Sequence, residues 1–167
     1  MLKIIGIDPG LSDTGIGIVR GKGLSVRSYA FGTIHTTQNF SLPERLHQIF
    51  SQLVNTLATE KPDLMVVEDV FSLTNYPKSG ILLGKVSGVI LLAGHRAGVS
   101  VMEVPVREAK KILTGNGRAS KDQLEKAVRR KLNLAKPIRP FHASDAMGLA
   151  LIGLFRFNPK QGIESDR

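Results

Sequence analysis

The run Lys3-Ile4-Ile5-Gly6-Ile7-Asp8-Pro9-Gly10 constrains the fold more than any other stretch, because it sets one carboxylate at the end of a short apolar segment, just before a turn. Leu2, Ile4, Ile5 and Ile7 are mostly β-branched and too few for a stable helix, so they read as a buried strand that Pro9-Gly10 stops. An acid on a strand buried on both faces pays a desolvation penalty unless it faces a cleft, so Asp8 is expected at a cleft edge. A second apolar run, Asp63 to Val67, ends in the same way at Glu68, and the helical pattern near the C-terminus carries Asp145 close to its start. Three acids thus stand at the ends of three elements.

Charge narrows the partner. Lys and Arg outnumber Asp and Glu by 23 to 14 in 167 residues, a formal charge of +9, which favours a polyanion, nucleic acid first. There is no cysteine, so a metal would have to be held by carboxylates, imidazole and water, and a reducing cytoplasm is the expected setting. No run approaches the ~18 apolar residues of a membrane span, and the N-terminus has no export pattern, so a soluble cytoplasmic protein without a membrane partner is expected. The length suits one domain, expected over 1–157, with a polar, frayed tail over 158–167.

The spacing of apolar residues predicts a mixed α/β order. Gly15 to Val19 and Leu24 to Ile34 read as strands joined by a turn at Arg20 to Gly23, an antiparallel meander. Leu42, Leu46, Ile49, Phe50, Leu53, Val54 and Leu57 share one face of a helix ending at Glu60, with Pro43 in its first turn. The strand ending at Glu68 follows that helical crossover and should run parallel to a strand of the same sheet, bringing Glu68 towards Asp8. A helix over about 80–97 carries Gly84 and Gly88, whose spacing suits a packing or dimer face. Val99 to Val104 reads as a fifth strand, followed by a helix to Leu113 and a loop over Thr114 to Ala119. A basic helix then runs from a Ser120 cap to Leu132, and a last helix from Phe141 or His142 to Arg156.

His142 and Asp145 are three apart and leave one helix on nearly the same face. With Asp8 and Glu68 they make a four-ligand pocket whose acids repel unless cations lie between them, which suits Mg²⁺ or Mn²⁺. An acidic metal pocket in a basic protein points to phosphodiester cleavage, for which two ions ~3.5–4 Å apart activate water and stabilise the leaving oxygen.

The motifs Gly6-Ile7-Asp8-Pro9-Gly10, Val67-Glu68-Asp69-Val70-Phe71, Thr114 to Lys121 and His142-Ala143-Ser144-Asp145-Ala146, in this order over about residues 3–155, resemble the RuvC family of bacterial Holliday junction resolvases. The resemblance implies a ribonuclease H-like α/β fold with a five-stranded mixed sheet flanked by helices. It implies a homodimer that makes paired metal-dependent nicks in opposing strands of four-way DNA junctions during recombination and repair, alongside the RuvA and RuvB branch-migration proteins. Asp8, Glu68 and Asp145 fall on catalytic acids of the family, and His142 falls where many members carry a further aspartate. Phe71 matches an aromatic junction contact, Lys110 and Lys121 match basic positions near the scissile strand, and Lys111 and Arg118 join them as candidate DNA contacts.

Each residue also has a blander reading. Asp8 can cap the turn after its strand, Glu68 can pair with a lysine, and His142 and Asp145 can serve the positive end of their helix. Asp69 reads as a solvent-facing bystander, Phe71 as a core residue, and the basic 120–132 face as solvated. Two other function classes share parts of the pattern: a related ribonuclease H-like RNA-processing nuclease, and a DNA-binding module without catalysis. Actin-like and sugar-kinase ATPases share the Gly-Ile-Asp opening but are much longer.

Overall fold

A computed structural model describes residues 1–69 and 77–157. Strand β1 (Leu2–Asp8) is central, with β2 (Asp13–Lys22) and β3 (Ser25–His35) antiparallel on one side. Helix α1 (Leu42–Glu60) crosses to β4 (Leu64–Asp69), which pairs parallel with β1 on its other side, as the crossover requires. Helix α2 (Pro77–Arg96) leads to β5 (Val101–Pro105), parallel to β4 at the edge. Three helices follow: α3 (Val106–Thr114), α4 (Lys121–Lys131) and α5 (Phe141–Arg156). The sheet has five strands in the order β3-β2-β1-β4-β5.

Strand alternation divides the core. Ile5, Ile7, Met65 and Val67 point to the side covered by α1 and α2, where Ile49, Leu53, Leu57, Val86 and Ile90 meet them. Ile4, Leu64 and Val66 point to the other side, covered by α5 with α3 and α4 against it. By the same alternation Asp8 and Glu68 belong to the α5 side, and both lie just past the paired residues Ile7 and Val67. α5 lies very close to the sheet, because Gly6 and Gly15 have no Cβ: one at Gly6 would run into the Ala146 carbonyl, and one at Gly15 into the His142 carbonyl.

Three details depart from the sequence reading. The hairpin turns at Gly23-Leu24 rather than over Arg20 to Gly23, because Gly23 supplies the positive φ of 55° that a two-residue turn needs and β2 continues to Lys22. β5 begins at Val101 rather than Val99, since Gly98 is still closing the end of α2 at φ 67°. Gly84 and Gly88 are not an intrachain packing face: a Cβ at either would meet nothing, and Ile81 and Leu92 on the same helix are 64% and 56% exposed. Phe71 and the tail from 158 onward lie outside the described residues.

Candidate active site

The pocket at the C-terminal ends of β1 and β4 holds about 220 Å³ and is lined by Asp8, Glu68, His142 and Asp145 together with Lys110 and Lys121. Each acid arrives by a separate local rule. Asp8 ends β1 because Pro9 cannot continue the ladder, and it is 7% exposed. Glu68 is held by its backbone pairing with Val104, half-buried on the same side of the sheet as Asp8. Asp69, next along the strand, alternates to the other side and does not line the pocket. His142 and Asp145 come from the start of α5, whose placement is fixed by Ala143, Ala146 and Met147, all fully buried.

The polar contacts decide between capping and chemistry. His142 Nδ1 is 2.6 Å from Asp8 Oδ2, so the aspartate reaches across the pocket to the histidine. Asp145 lies outside the first turn of α5, which contains no acid, so the helix dipole gives little reason for it. Its Oδ1 is buried with no hydrogen-bond partner. A buried carboxylate oxygen without a partner is costly, and it marks a place where a cation or donor belongs.

The electrostatics agree. Burial, then the charges of Asp8 and Asp145, push the Glu68 carboxyl up to about 8, against the pull of Lys121 and Lys110. Burial, then Asp8, raise Asp145 to about 6, with Lys121, His142 and Lys110 opposing. The His142 imidazole is shifted upward, chiefly by its hydrogen bond to Asp8. Crowded, desolvated acids whose proton affinities are raised by one another are relieved by a hard divalent ion, and the oxygen-rich donor set fits one. The four groups line one pocket without converging on a point: among the described residues no three Asp, Glu or His side chains are already gathered to cage an ion. Asp8 Oδ2 is turned to His142 instead.

The Thr114 to Lys121 motif is built to aim two lysines. Thr114 Oγ1 donates to the Lys110 carbonyl at 2.7 Å and accepts from Asn116 N–H at 3.1 Å, while Gly115 at φ 79° closes α3. Arg118 N–H donates to Asn116 Oδ1 at 2.9 Å, and the Ser120–Gln123 capping box starts α4. The result brings Lys110, near the end of one helix, and Lys121, the first residue of the next, into the wall of the same pocket. Lys111 and Arg118 are exposed and do not line it. The structure adds Pro9, Leu83, Val106 and Leu124 as wall residues. Only Pro9 adjoins a motif acid; the other three are ordinary apolar positions whose role depends on tertiary packing.

Residues 4–153 match the family model for "Crossover junction endodeoxyribonuclease RuvC". A protein of that name from Rhodopirellula baltica is 39% identical over 155 residues, covering 93% of this chain and 87% of the relative. Another from Delftia acidovorans is 41% identical over 153 residues, with 90% and 82% covered. Among solved structures, Thermus thermophilus RuvC in complex with a Holliday junction substrate is similar with a TM-score of 0.83 and 30% identity, covering 93% of this chain and 94% of that one.

Proposed function

The chain belongs to the RuvC family of crossover junction endodeoxyribonucleases, and we propose that it resolves four-way DNA junctions at the pocket formed by Asp8, Glu68, His142 and Asp145. The observation that carries the reading is that these four groups, from β1, β4 and α5, line one pocket together with Lys110 and Lys121, with Asp145 Oδ1 buried and unsatisfied.

Asp8, Glu68 and Asp145 are proposed to hold divalent metal, Mg²⁺ or Mn²⁺, as two ions per site, with His142 as a fourth ligand through whichever ring nitrogen its exchange with Asp8 frees. The metal, when bound, supplies an activated water and charge stabilisation at the leaving oxygen. The chain's own groups do the rest. Lys110 and Lys121 hold the phosphodiester against the acids and offset their mutual repulsion. Leu83 and the buried Leu124 border the charged centre with apolar surface, strengthening each electrostatic contact. Phe71, Lys111 and Arg118 are proposed as further DNA contacts outside the pocket.

Paired nicks require two such pockets, and we place the homodimer contact on the outer face of α2, where Ile81, Gly84, Gly88 and Leu92 form an exposed stripe with helical spacing. Work alongside the RuvA and RuvB branch-migration proteins, in the cytoplasm, is part of the same proposal. No helix of the described residues is long and apolar enough to cross a membrane.

The testing experiment incubates the protein and Mg²⁺ or Mn²⁺ with a synthetic four-way DNA, a linear duplex and a structured RNA. Preferential cutting of the junction supports the resolvase. Preferential cutting of RNA selects a related nuclease, and affinity without cutting selects a binding module.

A further inference from the structure

A second concavity, of about 560 Å³, lies between α4 and the loop after α3 and shares no lining residue with the carboxylate pocket. At 100° per residue, Lys121 and Leu124 turn one side of α4 to the carboxylate pocket, while Gln123, Lys126 and Arg130 turn the opposite side to this groove. Lys131 joins them, its Nζ 5.9 Å from the centre of the Phe155 ring.

The charged side chains of this groove are all cationic. Lys126, Arg130 and Lys131 enter none of the ion pairs among the described residues. The acids of α4 are engaged elsewhere: Glu125 is buried against Arg129 and accepts from Ile138 N–H at 2.9 Å, and Asp122 faces Arg139 at 3.7 Å. The amide oxygens of the two lining carboxamides are also taken, Asn116 Oδ1 by Arg118 N–H and Gln123 Oε1 by Ser120 N–H, which leaves their NH₂ groups as donors, and the Thr114 hydroxyl is used within its own loop, donating to the Lys110 carbonyl and accepting from Asn116 N–H. A lining of three cations outside those ion pairs and two amide donors, with no carboxylate among the lining residues, is complementary to phosphate oxygens. Basic residues in a last helical turn are commonly explained by the helix dipole, but Lys126 lies before that turn.

We propose that this groove grips the phosphate backbone of a duplex arm of the junction, away from the strand being cut; the proposal rests on the junction-resolving reading above. Arg130 lies nine residues beyond Lys121, roughly 14 Å along the α4 axis and on its far side. At 3.4 Å per nucleotide of one strand, a phosphate held there is on the order of four to five base pairs from the one at Lys121, within the arm rather than at the crossover.

The test is the combined variant Lys126→Gln, Arg130→Gln and Lys131→Gln in the full chain, with glutamine chosen because it keeps helix propensity. Junction affinity is measured between about 50 and 200 mM salt, where each lost phosphate contact reduces the log–log slope by about 0.9. A slope shallower by about 2–3, with cutting at saturating protein within about twofold of wild type, is the expected result. The control variant Arg20→Gln, Lys22→Gln and Arg27→Gln removes the same charge from the exposed β2–β3 hairpin and should leave the slope nearly unchanged. An unchanged slope in the groove variant overturns the proposal, as does an equal fall in the control, which would make net charge the cause. Loss of cutting at saturation also overturns it, by placing the groove in the cutting machinery. If wild type itself neither binds nor cuts junctions, it is the resolvase reading that fails.

Discussion

His142 Nδ1 and Asp8 Oδ2, 134 residues apart in the chain, meet at 2.6 Å across the carboxylate pocket. The contact ties the first turn of the last helix to the end of the first strand, and it sets a protonated histidine in competition with metal for the same aspartate. Imidazole coordinates only when its lone pair is free, and its raised proton affinity makes that state harder to reach as pH falls.

His142 therefore gives opposite pH signatures with and without metal. Without metal, its raised pKa means that its stabilising contribution is fully present below the ordinary value of 6.5 and fades as pH rises through the raised value. The melting temperature of wild type should exceed that of His142→Ala most at about pH 5.5 and by less at pH 8. With metal, wild-type cutting should fall on acidification sooner than that of His142→Asp, which should shift preference from Mn²⁺ towards Mg²⁺. His142→Ala should lose about 10–100-fold activity, partly restored by excess metal. Matching metal titrations for wild type and His142→Ala would show a residue of the helix start only.

Glu68 carries the reverse sign from an ordinary paired acid. Its folded pKa is raised from 4.5 to about 8, so folding is favoured while it is protonated, and that contribution is lost as pH rises from the unfolded value through about 8. Metal-free wild type should lose stability over that window, and Glu68→Gln should flatten the loss and melt higher at pH 8, by about 2–4 °C per kcal/mol of repulsion relieved. Divalent metal should raise the melting temperature of wild type more than that of the variant. A variant that melts lower than wild type at pH 8 without metal contradicts the repulsion account.

Lys121 acts on both the acids and the strand. Its charge lowers the proton affinities of Glu68 and Asp145, so Lys121→Gln should move the acidic limb of the pH–rate profile upward. The same change should reduce the salt slope of junction binding by about 0.9. An altered slope with an unmoved limb would make Lys121 a backbone contact alone.

Gly15 is the point at which packing controls chemistry, since it pairs with Asp8 across the sheet and lies beneath the His142 carbonyl. Gly15→Ala should push the start of α5 outward, destabilising the fold by about 1–3 kcal/mol and depressing cutting at temperatures where the protein remains folded. Stability loss with unchanged cutting would separate the close approach from the site.

Much of this architecture was legible because strand endings and helix caps are local. Asp8 before Pro9-Gly10, the Ser120 cap, and the apolar stripe of α1 each state their element in a few residues. The neighbouring placement of Asp8 and Glu68, each one residue past the Ile7–Val67 pair, followed from one further rule, the parallel strand after a crossover helix. What stayed hidden depends on long-range contact. The Asp8–His142 hydrogen bond, the Leu83 and Val106 walls and the division of the α4 surface between two concavities exist only once α5 is seated on β1 and β2. Gly84 and Gly88 read as a packing stripe because spacing reports a face without naming what covers it.

The most direct measurement compares wild type and Asp8→Asn on one four-way junction, recording affinity and the rate and strand positions of cutting with added Mn²⁺ or Mg²⁺. The substitution keeps the basic walls while removing the negative charge at the centre of the pocket. The account predicts symmetric metal-dependent nicks in opposing strands for wild type, and for Asp8→Asn near-wild-type affinity with cutting slowed by at least about 100-fold, beyond the ~10–100-fold of a supporting residue. Cutting by Asp8→Asn at a near-wild-type rate at modest metal concentration would contradict it and move the chemistry away from this pocket.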